Sequence, residues 1–221
     1  MFDILFEGNN FIRLMVGLWV TVKISLIAIV ISLVGGMVLG ILMSLKNRFI
    51  YAILKFGLEV VRIMPQIVWL MLVYFGLSKW ANIHISGVGA AIIIFSIWGV
   101  FEMMDLVRGA VSSIPKHQFE SAASLGLKSY QIYIYVIIPL AMRRLVPASI
   151  NLLSRMIKTT SIVVLIGVVE VVKVGQQIID NAVFTDNYAA FIVYGFIFFL
   201  YFAICYPVSK LSKILENRWS A

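Results

Sequence analysis

From Leu14 to Leu45 the chain reads LMVGLWVTVKISLIAIVISLVGGMVLGILMSL, interrupted by one charge, Lys23, and a few small polar residues. A helix of this run, rising ~1.5 Å per residue, would extend about 48 Å, beyond the ~30 Å hydrocarbon thickness of a bilayer. The run therefore predicts a transmembrane helix that tilts or protrudes. Gly35, Gly36 and Gly40 form a small-xxx-small patch on it, a pattern that lets another helix approach closely.

The rest of the chain has the same character. Of its 221 residues 62% are hydrophobic, and the mean hydropathy is +1.02. Soluble domains carry roughly 45–50% apolar residues, and a domain of this size could not bury the excess. The expected fold is an all-α integral membrane protein with five transmembrane helices in a single domain over residues 1–221. The spans are expected at about 14–45, 51–77, 88–107, 141–172 and 188–207. The second holds Glu59, Arg62, Pro65 and Gln66, the third Glu102 and Asp105 near its end, and the fourth Pro147 and Gly167.

The chain has 18 Lys and Arg against 10 Asp and Glu, and the placement of the charges gives an orientation. Lys46, Arg48 and Lys55 follow the first span. Arg108, Lys116, Lys128, Arg143 and Arg144 lie between the third and fourth, and Lys210, Lys213 and Arg218 follow the fifth. The alternate loops hold only Arg13, Lys79 and Lys173, together with Asp3, Glu7, Asp180 and Asp186. By the positive-inside rule the N-terminus is outside and the C-terminus cytoplasmic. The basic excess is then topological, and a nucleic-acid partner is not expected. Cys205 has no second cysteine to pair with and reads as a packing residue. Asp3 and Glu7 stand where a signal peptide would be basic, so no cleaved signal is expected.

The longest cytoplasmic loop contains the polar stretch Ile114-Pro115-Lys116-His117-Gln118-Phe119-Glu120-Ser121-Ala122-Ala123-Ser124-Leu125-Gly126. Pro115 suits the first turn of a helix and Gly126 the left-handed position past its end, which predicts a helix over about 115–125. Ala122 and Ala123 allow close backbone contact, Phe119 offers an aromatic anchor, and Lys116 and Glu120 are spaced to pair. Such a helix docks on a partner protein or lies on lipid headgroups.

Charges within spans are costly and mark candidate functional positions. Glu59 and Arg62 are three residues apart. Asn151, Ser154, Lys158 and Ser161 form one helical stripe bordered by Arg155, and a polar stripe on a transmembrane helix faces protein or a water-filled cavity. Glu59, Arg62, Asn151, Ser154, Lys158, Thr159, Thr160 and Ser161 are the candidate solute path. A carboxylate beside cations and hydroxyls suits both ends of an amino acid. Mutual neutralisation that only fixes helix packing accounts for the same charges. Glu102 and Glu170 are the gating candidates. Glu102 shares a face with Asp105, which is spaced to pair with Arg108, so a structural role competes there. Glu170, at the outer end of the fourth span, gates or contacts a partner at the outer mouth or is a solvated end residue.

No Gly-x-x-x-x-Gly-Lys-Ser/Thr sequence is present, so this chain has no Walker A loop to cradle ATP. His84 and His117 fall in loops on opposite sides of the membrane and cannot share a metal. No catalytic residue, metal site or cofactor is expected.

Glu120-Ser121-Ala122, then Gly126, then Val136-Ile137-Ile138-Pro139 resembles the EAA motif of ABC-importer permeases, which reads Glu-Ala-Ala, three residues, Gly, nine residues, Ile, one residue, Leu-Pro. Glu120, Ala122, Gly126 and Pro139 match in register. Ser121, Val136 and Ile138 are conservative departures. Arg62-Ile63-Met64-Pro65, Arg108-Gly109-Ala110 with Ser113-Ile114-Pro115-Lys116, and Lys158-Thr159-Thr160-Ser161 are similar to segments of the polar amino-acid branch, the histidine- and glutamine-permease-like proteins. His117 and Thr159 depart from its Gly and Asp.

The resemblance implies a multi-pass permease subunit of the bacterial cytoplasmic membrane, paired with a second copy or a paralogue. It also implies a pair of ATP-binding subunits that carry ATP and Mg, an external binding protein that delivers a polar amino acid, and alternating access. Phe119, Glu120, Ser121, Ala122, Ala123 and Gly126 would then belong to the coupling helix that docks on the ATPase. The readings that compete with it are an ion-coupled secondary transporter or channel, and a non-transporting assembly subunit.

Overall fold

A computed structural model describes residues 3–44, 47–80, 84–182 and 186–219. Leu45 and Lys46, the expected end and first flanking cation of span one, lie outside the described residues. Among these residues every regular element is helical. After a turn at Asp3–Phe6 come α1 (Asn10–Ser44), α2 (Arg48–Ile63) and α3, which begins as Gln66–Met71 and continues through a π-helical turn at Leu72–Gly76. Then follow α4 (Gly87–Ser112), α5 (Lys116–Ser124), α6 (Ser129–Ile166), α7 (Val171–Ala182) and α8 (Ala189–Trp219). Helices α1, α4, α6 and α8 are long and apolar enough to cross a membrane, and α2 with α3 makes a fifth if the broken pair is one span.

Local chemistry sets the boundaries. Asn47 Oδ1 accepts the N–H groups of Phe49 and Ile50 at 2.9 and 3.2 Å, capping α2. Pro65 disfavours helical geometry at Met64, so the expected span over 51–77 is two helices. The fourth expected span also differs, because α6 starts earlier, at Ser129, and stops at Ile166 rather than near 172. Gly167 ends it at φ +79, its N–H donating to Val164 O at 3.1 Å while that of Val168 donates to Val163 O at 3.3 Å, a Schellman closure. Pro207 does not end α8. A proline removes only one helical hydrogen bond, a loss that transmembrane helices tolerate.

The chain forms two compact units. The first comprises Met1–Ala28, Met64–Phe95 and Ser154–Pro207. Its core joins Leu14 of α1, Val171, Val174 and Ile178 of α7, and Ile192, Val193 and Ile197 of α8. The second comprises Ile29–Ile63, Ser96–Leu153 and Val208–Ala221. There Met43, Leu58 and Met104 cluster, with Leu39, Leu54 and Phe101 against them. In this unit the glycine patch of α1 lies on α4, as the small-xxx-small pattern predicts. A Cβ on Gly40 would fall 2.5 Å from Val107 Cβ, and one on Gly36 would collide with Met103.

Gly40→Leu is expected to destabilise the protein by roughly 1–3 kcal/mol through overpacking. Gly109→Leu, where nothing lies within 4 Å of an added Cβ, is the control. Thermal unfolding in mild detergent reads the difference.

Candidate functional site

The strongest charge cluster joins α2 to α4 within the second unit. Arg62 Nε donates to Glu102 Oε1 at 2.7 Å, and Arg62 Nη2 lies 2.9 Å from Asp105 Oδ2. Arg108 closes on the other oxygen of Asp105, with Nη2 at 2.7 Å and Nε at 3.0 Å. Two guanidiniums and two carboxylates thus neutralise each other, and Glu102 is buried. Arg62 does not pair with Glu59. Residues three apart can pair on a helix, as Asp105 and Arg108 do, but Arg62 turns to α4 while Glu59 lies on the exposed face of α2, where Lys55 Nζ sits 3.8 Å away. That exposed pair is worth only a few tenths of a kcal/mol.

The candidate path residues on α6 divide in two. Asn151 and Lys158 are exposed on the helix, and Ser154 is buried. The hydroxyls of Thr159, Thr160 and Ser161 bond back along the chain to the carbonyls of Arg155, Ile157 and Lys158, at 2.9, 2.7 and 3.0 Å. Such back-bonding competes with the regular helical ladder. Here it accompanies the tightening of α6 into a 3₁₀ segment over Thr160–Ile166.

Glu170 is wholly buried rather than solvated. It stands just ahead of α7, where one carboxylate oxygen accepts the Lys173 N–H at 2.9 Å and the other the Thr21 hydroxyl at 3.2 Å. The carboxylate thereby satisfies an amide of the first turn that would otherwise lack a partner. Gly17 permits the approach, since a Cβ there would lie 2.9 Å from the Glu170 carbonyl carbon.

The polar stretch forms the helix that its sequence predicts. Pro115 precedes α5, and Gly126 follows it at φ +78. The Gly126 N–H donates to Ala123 O at 2.9 Å and the Leu127 N–H to Ala122 O at 3.4 Å, a second Schellman closure. Ala122 is buried, while Glu120, Ser121 and Ala123 face outward. Lys116 and Glu120 are both exposed and do not figure among the ion pairs of the described residues. Phe119 is only half-exposed, its ring edge-on to Tyr133 with centroids 5.9 Å apart. The bulky apolar side chain left outside is Leu125, at 81% exposure. A leucine beside a helix-closing glycine in a polar loop is the sequence signal that marks this position. Arg144 of α6 ties the approach to α5, Nη1 donating to Ser113 O at 2.7 Å and to the Ser113 hydroxyl.

Residues 36–220 match the family described as the inner membrane component of binding-protein-dependent transport systems. The chain belongs to that family. It is accordingly a multi-pass protein of the bacterial cytoplasmic membrane and an importer permease. It is 33% identical over 202 residues to the glutamine transport system permease protein GlnP of Escherichia coli K12, covering 89% of this chain and 90% of that one. The probable glutamine ABC transporter permease protein GlnP of Bacillus subtilis 168 is 28% identical over 202 residues, covering 91% of each. A crystal structure of an amino acid ABC transporter with histidines superposes with a TM-score of 0.86 at 26% identity, covering 98% of both chains. An inward-facing MetNI methionine ABC transporter shares the fold, with a TM-score of 0.71 at 18% identity over 95% of this chain and 99% of that one.

Arg62→Met leaves Glu102 buried without this partner and is expected to cost roughly 1–3 kcal/mol, because Arg62 is itself partly exposed. Adding Glu102→Gln should restore part of the loss. Unfolding midpoints of the single and double variants check this. Equal midpoints would show that the pair carries no weight.

Proposed function

We propose that this chain is the permease subunit of an ATP-binding-cassette importer that moves polar amino acids by alternating access. The near full-length similarity to the glutamine permease of Escherichia coli carries this reading. Residues 1–221 act as one permease domain with its N-terminus outside and its C-terminus in the cytoplasm, an orientation supported by the distribution of Lys and Arg. The subunit pairs with a second permease, either itself or a paralogue. ATP and Mg bind on two separate ATPase subunits, and an external binding protein delivers the solute. The exposed stripe of Asn151 and Lys158, with Glu59 as a further candidate, lines the solute path. Glu102 and Glu170 serve the gates through the bonds that hold them.

Helix α5 is the coupling helix. Its Schellman closure makes it a short rigid body, and its outward Glu120, Ser121 and Ala123 with the apolar Leu125 suit a protein groove. The bond from Arg144 to Ser113 supports a mechanical route, in which closure of the ATPases displaces α5 and α5 displaces α6. Gly126→Leu forces a side chain into left-handed geometry, a strain of about 1–2 kcal/mol. It should cut uptake or release the ATPase while the spans still insert. Uptake at the wild-type rate with the ATPase still bound would refute this role for α5.

Uptake of labelled glutamine, glutamate, histidine, arginine and cystine in cells lacking this chain tests the substrate class. Absence of any amino-acid import, together with no ATPase co-purifying in mild detergent, would favour the ion-coupled transporter instead. Lys158→Met should lower uptake at least tenfold with the complex intact, and a normal rate would remove Lys158 from the path.

A further inference from the structure

A cleft of about 390 Å³ opens between α6 and the last turns of α8, lined by Arg143, Arg144, Pro147, Asn151, Glu216 and Trp219. Its volume lies in the ~300–1,000 Å³ range of small-molecule sites. Arg144 is anchored on Ser113. Among the described residues, the side chains of Arg143, Asn151 and Glu216 have no hydrogen-bond or ion-pair partner. One cavity therefore presents an uncommitted guanidinium, an amide and a carboxylate.

The mixture of signs narrows the ligand. A simple anion would sit beside Glu216, and a simple cation would face two arginines. A zwitterion satisfies both. Arg143 offers a planar fork that matches a carboxylate, and Glu216 accepts from an ammonium, which the Trp219 ring also favours. One lining residue, Asn151, also belongs to the polar stripe of α6. Arg144, Pro147, Asn151, Arg155 and Lys158 recur at spacings of three and four residues, a single face of α6.

We propose that this cleft is a second, cytoplasmic-side site for a free amino acid, with Arg143 binding the α-carboxylate, Glu216 the α-ammonium, and Asn151 a remaining carboxylate or side-chain group. The proposal rests on the amino-acid permease reading and extends it by placing the released solute.

The test uses the whole permease–ATPase complex without binding protein, in nanodiscs of phosphatidylcholine alone. The probe is L-[3H]glutamine, which carries the two backbone charges that the cleft recognises. Saturable binding is expected, weakened about tenfold or more by Arg143→Gln and by Glu216→Gln and partly recovered in Arg143→Lys. N-acetylglutamine, which lacks the ammonium, should compete at least tenfold less well than glutamine. Unchanged binding in both cleft variants, or no saturable binding to the wild type, overturns the proposal. It is equally overturned if native mass spectrometry of complex extracted from membranes finds phosphatidylethanolamine retained by the wild type and lost from Arg143→Gln, which would make the cleft a lipid-headgroup site. Failure of the uptake panel for every amino acid removes the permease reading itself. Intact uptake with binding indifferent to the cleft variants removes only the second site.

Discussion

Arg62 holds two carboxylates of α4 at once, and much of the second unit depends on that contact. An ionised group in an apolar span is tolerated only when its charge is answered nearby, so Glu102 and Asp105 constrain where α2 can lie along α4. The helix α4 is held from a second side as well. Val100, Met103 and Val107 receive Gly35, Gly36 and Gly40 of α1, while Glu102, Asp105 and Arg108 carry the ion network. One contact is steric and the other electrostatic. A shift of α4 along its axis would disturb both, so the register of three helices is set together.

The first unit solves a related problem with a single carboxylate. A helix start buried among apolar residues leaves amide groups without partners. Glu170 answers the first turn of α7 and takes the Thr21 hydroxyl as well. Its burial is stable because its oxygens are used, and Gly17 provides the room. A carboxylate placed in this way joins α1 and α7 through hydrogen bonds that reach across the chain.

The spans were legible because composition alone demands a membrane, and runs of apolar residues are long enough to count. The glycine patch and the helix before Gly126 were legible too, since close approach and left-handed closure each require a residue type at a fixed offset. Partners across the chain were not. Arg62 and Glu59 are near in sequence, but the choice of Glu102 and Asp105 depends on how α2 and α4 pack. The end of α6 was misplaced because Gly167 sits inside an apolar run that hides its role as a stop. Glu170 resembled a solvated end residue because its sequence neighbours do not reveal that α1 and α7 enclose it. In α5, Phe119 drew attention as the aromatic residue, yet Tyr133 covers one side of its ring and Leu125 is left outside.

The hydroxyls near Lys158 narrow how such a permease handles its solute. Thr159, Thr160 and Ser161 already bond to carbonyls of their own helix, and Arg62, Glu102, Asp105 and Arg108 bond to one another. Few polar groups on the stripe remain to distinguish one amino-acid side chain from another. On the proposed path, charged positions such as Lys158 would act instead on the carboxylate common to the whole class. A path with that bias favours passage over selection, because each group that binds a side chain tightly must also let it go. Fine discrimination is then better placed on a separate external binding protein, where tight binding does not slow transit. The small polar inventory of this chain would suit that division of labour.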